Sequence, residues 1–461
     1  MSTKRWVPSR FNAISKMENG ELVLYNSYTG AIASISAEEK SEVMSALKKE
    51  GITGNLPENI QALVELGFLV PETVDEDSRA SFLHQSLHRT DTMHLILFPT
   101  EACNFRCTYC YQTFPQGKMK PEIREGFKRF LEQKAGSLQH LNISWFGGEP
   151  MTAFDVIGEL SESILKTVKK HNIHYSAEMS TNGYLLTEES FRSLLSWNIR
   201  RFMITLDGNA EIHDSRRFLT GGGKTFDRII ENLKAIKDLE EDFEIFIRIN
   251  FDEDNLNEIP TFLTYLGNLF GKDPRFQIFT RPVGRWGGSN DGDLPICDSR
   301  VAETKIWEFT EYGLNSELNM SSSIESALMP TGSVCYAAKP HSFAIGADGQ
   351  LYKCTCSLDE DFNKVGNLLP DGSMEIDYDK LALWVTSGEE KDAVCQSCFY
   401  RPACQGNHCP LYRFRTGNRP CSYEKRKIKQ VLRLIWQQNS LNKGDETNES
   451  NQTSRFSTSS R

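Results

Sequence analysis

The chain has 461 residues, 39% of them hydrophobic and 25% charged, with a net charge of −10. A chain of this length exceeds one ordinary hydrophobic core, so we expect two or three domains. No apolar run is long enough to cross a bilayer, and the negative charge argues against nucleic acid as the main partner. The composition therefore predicts a protein with neither a membrane nor a nucleic-acid partner.

The chain has twelve cysteines, and their role depends on the cellular compartment in which the protein works. The N-terminal Met-Ser-Thr-Lys-Arg-Trp has no apolar stretch after its basic residues, so no secretion signal is recognisable. Many cysteines without an export signal indicate a reducing cytoplasm, where thiols bind metals rather than form disulfides. We therefore predict a cytoplasmic protein that uses its cysteines for metal binding.

Residues 1–75 have the pattern of a small α/β domain. Apolar residues alternate over 21–25 and 31–35, which predicts two strands, and helices are predicted from Ser36 and over 58–66. This segment resembles the winged-helix-like, PqqD-like recognition elements (RRE) of enzymes that modify ribosomally made peptides. The resemblance implies that the leader of a precursor peptide adds as a strand to a sheet edge. The alternative is a cap that only packs on the next domain.

Residues 93–320 alternate strands with helical stretches, after a polar segment, 76–92, that we expect to be an irregular linker. The six predicted strands are 94–98, 142–146, 174–179, 202–206, 244–250 and 275–280. The alternation predicts parallel β/α units. Each predicted strand ends in a polar or glycine-containing segment, and barrel enzymes place their chemistry at the carboxyl ends of their strands. We therefore expect the active site there.

Three cysteines, Cys103, Cys107 and Cys110, follow the first of these strands with the spacing CxxxCxxC. A [4Fe–4S] cluster held entirely by protein takes four thiolates, so three cysteines leave one iron open to another ligand. Zinc is the alternative, but zinc sites usually present two pairs of ligands, and no fourth Cys or His follows closely. The spacing therefore favours an iron–sulfur cluster with an open corner.

The segment Cys103-Asn-Phe-Arg-Cys107-Thr-Tyr109-Cys110 resembles the signature loop of the radical S-adenosylmethionine (SAM) enzymes. The resemblance implies an α/β fold with a partial (β/α)6, TIM-like barrel over residues 93–320. It implies that the open iron chelates the amino and carboxylate groups of SAM, and that an electron from the cluster cleaves SAM to a 5′-deoxyadenosyl radical. The three cysteines would be both cluster ligands and catalytic residues, and Tyr109 would lie near the adenine.

Gly147-Gly148-Glu149-Pro150 follows the second predicted strand. Two glycines let the backbone approach a ligand closely, and a carboxylate can accept hydrogen bonds from an ammonium group. On its own this segment could be a turn that closes the strand. In radical SAM enzymes the corresponding segment contacts the methionyl amine of SAM, so the resemblance implies that role for Glu149.

Further contacts to SAM are implied at the ends of the later strands. Ser180 and Asn182 end the third strand, where we expect them to hydrogen-bond the ribose hydroxyls. Arg217 has the planar guanidinium that pairs bidentately with a carboxylate, although its neighbour Arg216 carries the same charge. Asn250 ends the fifth strand and matches a position that lines the cofactor or substrate face.

The region 321–438 is rich in cysteine, as expected of a segment organised by metal rather than by a large apolar core. Residues 424–438 are predicted to be helical, and 439–461, which are rich in Asn, Ser and Thr, to be a disordered tail. The cysteine spacing resembles the SPASM domain, which holds two auxiliary [4Fe–4S] clusters in peptide-modifying radical SAM enzymes. Three [4Fe–4S] clusters are then implied in all, with zinc as the alternative for a CxxC pair. The resemblance implies one auxiliary cluster on Cys395, Cys398, Cys404 and Cys421, and another on Cys335, Cys354 and Cys409.

The fourth ligand of the second auxiliary cluster is open. Relatives with a complete site use a cysteine upstream of the first one, and none lies between Cys297 and Cys335. Either Cys356 completes the cluster, or one iron stays free to bind a substrate thiolate. The gap before Cys409 is longer than in the family, which leaves His408 as another candidate ligand.

These features together predict a radical SAM/SPASM peptide maturase of the sactipeptide or ranthipeptide type. Such an enzyme takes a hydrogen from a precursor peptide and joins a cysteine sulfur to the resulting carbon radical, using a flavodoxin- or ferredoxin-type electron donor. The alternatives are carbon–carbon crosslinking and formylglycine formation, as in anaerobic sulfatase maturases. Those maturases carry an Asp, their expected base, directly after the cysteine that matches Cys354, where this chain has Thr355. A peptide-binding or iron–sulfur scaffold protein would not need the segments around Glu149 and Asn182.

Overall fold

The computed structural model describes the backbone of residues 4–48, 50–271, 273–320 and 322–445. The chain divides into two compact units. The first unit consists of the described parts of Met1–His88, Ser321–Lys339 and Val385–Arg461. The second unit consists of the described parts of Arg89–Met320 and Pro340–Trp384. The region 321–438, which we expected to form one domain, is therefore divided between the two units.

The N-terminal part of the first unit contains the predicted small α/β arrangement. Its elements are β1 (Arg5–Pro8), β2 (Asn12–Lys16), β3 (Leu22–Asn26), β4 (Ile32–Ile35), α1 (Lys40–Ala46), β5 (Ile52–Thr53), α2 (Glu58–Glu65) and β6 (Leu69–Pro71). They form two three-stranded sheets with the orders β5-β1-β6 and β2-β3-β4. The first helix begins at Lys40 rather than at Ser36. Ser36 caps the preceding turn, because its hydroxyl accepts from the Glu39 N–H and its carbonyl accepts from the Lys40 N–H. Side chains from both helices and three strands form the core, including Leu22, Leu24, Ile35, Val43, Leu63 and Leu69.

The expectation of an irregular linker over 76–92 is wrong. Residues Glu76–Gln85 form a helix, α3. Its N-terminus is capped by Asp75, whose carboxylate accepts hydrogen bonds of 3.0 Å from the N–H groups of Asp77 and Ser78. Such a cap satisfies N–H groups that the first turn leaves without partners, which favours a helix even where few side chains are buried. Ala80 is the buried residue of this helix.

The second unit begins with alternating strands and helices. They are β7 (Thr92–Thr100), β8 (Phe105–Cys107), α4 (Pro121–Ala135), β9 (His140–Gly147), α5 (Phe154–His171), β10 (His174–Thr181), α6 (Glu188–Ser196), β11 (Ile199–Thr205), α7 (Ala210–Arg216), β12 (Arg217–Leu219), α8 (Phe226–Lys237), β13 (Glu244–Phe251), α9 (Ile259–Phe270), β14 (Phe276–Pro282) and α10 (Ser299–Asn315). The six predicted strands are confirmed as β7, β9, β10, β11, β13 and β14. Burial alternates in several of them, as in Leu141, Ile143 and Trp145 of β9, whereas β7 is buried continuously from Leu95 to Thr100.

The remaining elements contribute to both units. They are α11 (Ser322–Leu328), β15 (Ser342–Ile345), β16 (Gln350–Tyr352), β17 (Lys364–Leu368), β18 (Met374–Ile376), α12 (Tyr378–Val385), α13 (Ala393–Gln396), α14 (Arg401–Cys404), α15 (Pro410–Thr416), α16 (Tyr423–Arg426) and α17 (Ile428–Asp445). The predicted terminal helix is thus interrupted at Lys427. Its backbone continues into the predicted tail as far as Asp445, and the rest of that tail lies outside the described residues.

The central sheet of the second unit has ten strands in the order β14-β13-β11-β10-β9-β7-β15-β16-β17-β18. Every pairing from β14 to β15 is parallel, and the pairings from β15 to β18 are antiparallel. The fold is therefore α/β with a mostly parallel sheet. The carboxyl ends of neighbouring parallel strands share one edge of a sheet, where ligands bind in such folds. No described helix has the length and apolar character needed to cross a membrane.

Candidate active site

A cavity of about 350 Å³ lies in the second unit, at the carboxyl ends of the parallel strands. The sequence assigned eleven residues to the first cluster and to SAM, and all of them lie in its wall. They are Cys103, Cys107, Tyr109, Cys110, Gly147, Gly148, Glu149, Ser180, Asn182, Arg217 and Asn250. The tertiary structure therefore brings together segments that are far apart in the chain.

The cysteine loop is held by a short two-stranded sheet. β8 pairs antiparallel with β12, so that Cys107 stands opposite Arg217. The sulfur of Cys103 accepts a hydrogen bond of 3.3 Å from the N–H of Phe105. Burial raises the pKa of Cys103 to about 12 and that of Cys107 to about 11, whereas the charge of Arg217 acts on Cys107 in the opposite direction. A bound metal removes the proton from such thiols, so their chemistry fits iron ligation.

Glu149 anchors the loops that follow two neighbouring strands. Its side chain is 1% exposed and accepts three hydrogen bonds, from the N–H of Met151 at 3.0 Å, the hydroxyl of Thr181 at 2.7 Å and the N–H of Asn182 at 2.6 Å. Burial raises the pKa of Glu149, while these donors oppose that shift. The carboxylate thus ties the end of β9 to the end of β10. Its cavity-facing position is compatible with the predicted contact to an amine, and the donors hold it there.

The two glycines before Glu149 permit a close approach of backbones. Gly147 has a φ of 124°, in the region that side chains rarely adopt. A Cβ at Gly147 would collide with the carbonyl of Thr100, and one at Gly148 would collide with the carbonyls of Glu101 and Ala102. These glycines let the cysteine loop pass directly beside the end of β9.

Tyr109 links the ends of several strands through its hydroxyl. The hydroxyl donates to the carboxylate of Asp207 at 2.5 Å and accepts from Arg217 at 2.8 Å and from the Asn250 side chain at 3.1 Å. Burial raises the pKa of Tyr109, so the phenol stays protonated and can donate. Tyr109 therefore orients Arg217 and Asn250, two residues that were predicted to contact SAM. Its position in the sequence did not indicate this role.

The structure distinguishes the two neighbouring arginines. Arg216 forms a bidentate ion pair with Asp252, with distances of 2.8 and 2.7 Å, and does not line the cavity. Arg217 is 6% exposed and lines the cavity, and its Nε has no hydrogen-bond partner among the described residues. The geometry favours Arg217 as the group that faces a carboxylate ligand.

Several cavity residues were not assigned to this site by the sequence. Thr355 and Cys356 lie in the wall, after β16, together with Tyr111. Hydrogen bonds with Cys354, Tyr111 and Thr355 lower the pKa of Cys356 to about 6. Cys356 had been considered as a ligand of an auxiliary cluster, and the structure places its thiol in the wall of the same cavity as the CxxxCxxC loop. The closely spaced Cys354-Thr-Cys356 was the available signal, but it does not indicate which way the second thiol points.

The four cysteines assigned to the first auxiliary cluster line a second cavity, which lies in the first unit. They are Cys395, Cys398, Cys404 and Cys421, and the same cavity is lined by Arg401, Arg419 and Lys425. Burial raises the pKa of Cys404 to about 12. Arg413 and Lys425 each approach a sulfur at 3.9 Å, those of Cys395 and Cys421 respectively. Four thiols with cationic neighbours are a donor set that fits a [4Fe–4S] cluster.

The other auxiliary set is split between the units. Cys335 and Cys409 belong to the first unit, where the Cys409 sulfur accepts a hydrogen bond of 3.4 Å from the N–H of Tyr412. Cys354 belongs to the second unit and is buried. His408, considered as a substitute ligand, forms a hydrogen bond of 3.1 Å with Ser333. Among the described residues, the cysteines of both cavities included, no three His, Cys, Asp or Glu side chains are grouped closely enough to hold a single metal ion.

Residues 97–266 match the model of the Radical SAM superfamily. The matched residues run from β7 into α9 and include the CxxxCxxC loop. An AdoMet-dependent heme synthase from Methanosarcina barkeri is 27% identical over 210 residues, which cover 44% of this chain and 54% of that enzyme. A cysteine-type anaerobic sulfatase-maturating enzyme from Clostridium novyi is 22% identical over 336 residues, covering 68% of this chain and 87% of that enzyme. The chain thus spans about half the length of the heme synthase it matches.

A solved structure, native anSMEcpe with bound AdoMet and the Cp18Cys peptide, resembles this fold with a TM-score of 0.56. The two proteins are 20% identical, and the match covers 76% of this chain and 99% of that one. At this identity the likeness concerns the fold.

Proposed function

We propose that the protein is a radical SAM enzyme that modifies a ribosomally made precursor peptide and forms a thioether from a peptide cysteine. The observation that carries the proposal is the convergence of Cys103, Cys107 and Cys110 with the Glu149 loop and Arg217 on one cavity. A cluster on these thiols would supply the electron that cleaves SAM. The protein's own part is to orient SAM, to position the peptide and to exclude water.

Different residues of the cavity wall would bind different groups of SAM. Arg217 would pair with the carboxylate of SAM, since its guanidinium is buried and has an Nε without a partner among the described residues. Ser180 and Asn182 would face the ribose hydroxyls from the end of β10. Glu149 would face the amine while holding the loop of Asn182 through its N–H.

The peptide substrate is supported by what the similar proteins act on. The relative from Clostridium novyi is a sulfatase-maturating enzyme, and the similar solved structure contains a peptide. In this proposal residues 1–75 bind the leader, residues 93–320 carry the radical chemistry and the cysteine-rich region holds two auxiliary clusters. One auxiliary iron would bind the substrate sulfur and lower its pKa. The cytoplasmic location and a flavodoxin- or ferredoxin-type donor belong to the same proposal.

Formylglycine formation is the second candidate, because one similar protein is a cysteine-type anaerobic sulfatase-maturating enzyme. That oxidation needs a base for the substrate. Among the described residues Glu149 is the carboxylate in the wall of the cavity, and its oxygens already accept three hydrogen bonds. Thr355 stands in the wall at the position where the sequence comparison expects the base. These residues favour thioether formation over formylglycine.

Anaerobic reconstitution tests the proposal. With dithionite and SAM the protein should release 5′-deoxyadenosine, and Cys103→Ala, Cys107→Ala and Cys110→Ala should each abolish the release. With a cysteine-containing precursor encoded beside the gene, mass spectrometry should show a loss of two hydrogens per linked cysteine and a thiol that resists alkylation. A formylglycine product would favour the second candidate. Full release of 5′-deoxyadenosine by the alanine variants would contradict both.

A further inference from the structure

The wall of the active-site cavity carries more positive charge than the predicted contacts to SAM use. It is lined by the three arginines Arg217, Arg248 and Arg281, whereas Glu149 is the carboxylate among its described residues. Glu149 accepts its three hydrogen bonds from backbone and hydroxyl groups rather than from these arginines. In the proposed function Arg217 pairs with the carboxylate of SAM. Arg248 and Arg281 are therefore left without a ligand.

Arg248 and Arg281 reach the cavity from two neighbouring strands. Arg248 precedes Asn250 by two residues on β13, so the two side chains lie on the same face of the sheet. Asn250 stands opposite Arg281 in the parallel pairing of β13 with β14. Arg248 stands opposite Thr205 of β11, which also lines the cavity. The two arginines are therefore carried on one side of the cavity, next to Asn250.

Neither arginine forms an ion pair with a described residue. The Nε of Arg248 is buried and has no hydrogen-bond partner in the part of the chain that the structure describes. Arg281 is exposed near the end of β14. By contrast Arg216, which does not line the cavity, is paired with Asp252 through two hydrogen bonds. A half-buried cation is costly unless an anion or an acceptor pairs with it, so this side of the cavity suits an anionic ligand.

Arg248 also acts electrostatically on two thiols of the cavity wall. Burial raises the pKa of Cys107, and the charges of Arg217 and Arg248 oppose that shift. The hydrogen bond with Cys354 is the largest cause of the lowered pKa of Cys356, to which the charge of Arg248 contributes. An anion held by Arg248 would therefore lie in the neighbourhood of both the CxxxCxxC loop and Cys356.

We propose that Arg248 and Arg281 bind a carboxylate of the peptide substrate, so that the residue to be modified lies beside an acidic group. The inference rests on the proposed function, because it takes the cavity as the place where SAM and the peptide meet. A guanidinium suits a carboxylate because both groups are planar and form two parallel hydrogen bonds. The carboxylate comes from an Asp or Glu side chain of the precursor or from the carboxyl terminus of the peptide. Its binding fixes the position of the peptide relative to the cysteine loop.

The test combines changes in the peptide with changes in the protein. The precursor encoded beside the gene is synthesised in its natural form, with each Asp or Glu replaced in turn by Asn or Gln, and with a C-terminal carboxamide. Each peptide is assayed with the reconstituted wild type, Arg248→Gln, Arg281→Gln and Arg228→Gln, and kcat and KM are determined from product mass spectra. Arg228, an exposed arginine of α8 outside the cavity wall, provides the matched control. Circular dichroism, iron content and SAM affinity without peptide are measured for every protein.

One of the peptide changes should lower kcat/KM of the wild type and of Arg228→Gln by about tenfold to hundredfold, as expected for the loss of a charged hydrogen-bond partner. The same change should lower kcat/KM of Arg248→Gln and Arg281→Gln by less than about threefold, because the partner of the carboxylate is already missing. Because Arg281 is exposed, its variant keeps the test valid even where Arg248→Gln folds poorly. An effect of the carboxamide would assign the carboxyl terminus, and an effect at one Asp or Glu would assign that side chain.

Equal kcat/KM of the wild type with every peptide would overturn the carboxylate site. A peptide effect of the same size in the wild type and both variants, Arg248→Gln and Arg281→Gln, would overturn it as well. Weaker SAM binding by these variants without any dependence on the peptide carboxylates would overturn it in favour of a contact to SAM. All three outcomes leave the proposed function intact as long as the wild type forms the thioether. Absence of 5′-deoxyadenosine release by the wild type would instead contradict the proposed function.

Discussion

Tyr109 donates a hydrogen bond of 2.5 Å from its hydroxyl to the carboxylate of Asp207, which is fully buried just after β11. The other carboxylate oxygen of Asp207 has no hydrogen-bond partner among the described residues. The Nε of Arg216 lies 3.6 Å from the oxygen of Asp207 that accepts from Tyr109, and a buried carboxylate is costly unless such groups pair with it. The Tyr109 hydroxyl is therefore a structural link between the cysteine loop and the far side of the cavity.

Tyr109→Phe should weaken SAM binding about tenfold, because Arg217 and Asn250 also lose the oxygen to which they donate. The loss of one such buried hydrogen-bond partner typically costs about 1–3 kcal/mol. Equilibrium dialysis of reconstituted protein with SAM measures the change. Tyr175→Phe is the matched control, because the buried Tyr175 hydroxyl has no partner among the described residues. Equal SAM affinity in both variants would show that the Tyr109 hydroxyl does not organise the site.

Glu149→Gln should lower both stability and SAM affinity. All three groups around Glu149 are donors, and an amide would turn a further donor toward one of them. We expect a loss of about 1–3 kcal/mol in the free energy of unfolding. Thermal unfolding and SAM titration measure the two effects, with Glu162→Gln as a control at an exposed helical position. A variant with wild-type melting and SAM affinity would refute the anchoring role of this carboxylate.

The stability of the second unit should fall below about pH 6.5 because of His213. Burial, aided by the charges of Arg217 and Arg216, lowers the pKa of His213 well below its usual range. The unfolded chain binds a proton at His213 below about pH 6.5, whereas the folded chain does not, so unfolding becomes more favourable as the pH drops. The contribution is at most about 1.4 kcal/mol per pH unit.

Urea unfolding of the metal-free protein at pH 7.5 and 5.5 measures this slope. His213→Gln removes the titrating group and should reduce the difference between the two pH values. His174→Gln, at an exposed position, should leave it unchanged. Identical slopes in wild type and His213→Gln would exclude His213 as the source.

Cys356→Ala should reduce the yield of modified peptide per 5′-deoxyadenosine released, because this thiol lies in the wall of the reaction cavity and contacts Tyr111. The iron content should stay at the wild-type level if Cys356 is not a cluster ligand. Iron analysis and mass spectrometry of the product measure the two quantities. Cys297→Ala, at a buried thiol outside the cavity wall, is the control and should preserve both. Loss of a whole cluster from Cys356→Ala would assign it instead as the missing auxiliary ligand.

Local patterns in the sequence were sufficient for the six parallel strands and, together with the family resemblance, for eleven residues of the cavity wall. Burial repeats every second residue in strands such as β9, and the cysteine loop and the Gly147-Gly148-Glu149 segment lie at the carboxyl ends of β7 and β9. Parallel strands bring such segments to one edge whatever the details of packing. In the small N-terminal sheets the predicted strands at 21–25 and 31–35 correspond to β3 and β4.

Only the tertiary structure decided features that depend on partners distant in the chain. β15 pairs with β7 through Ser342 and His94, which transfers residues 340–384 into the second unit. The choice between Arg216 and Arg217 follows from the position of Asp252, and the place of Cys356 follows from the path of the chain after β16. Sequence periodicity records which side of its own element a residue occupies, but ion pairs and strand partners are set by the balance of contacts across the whole unit.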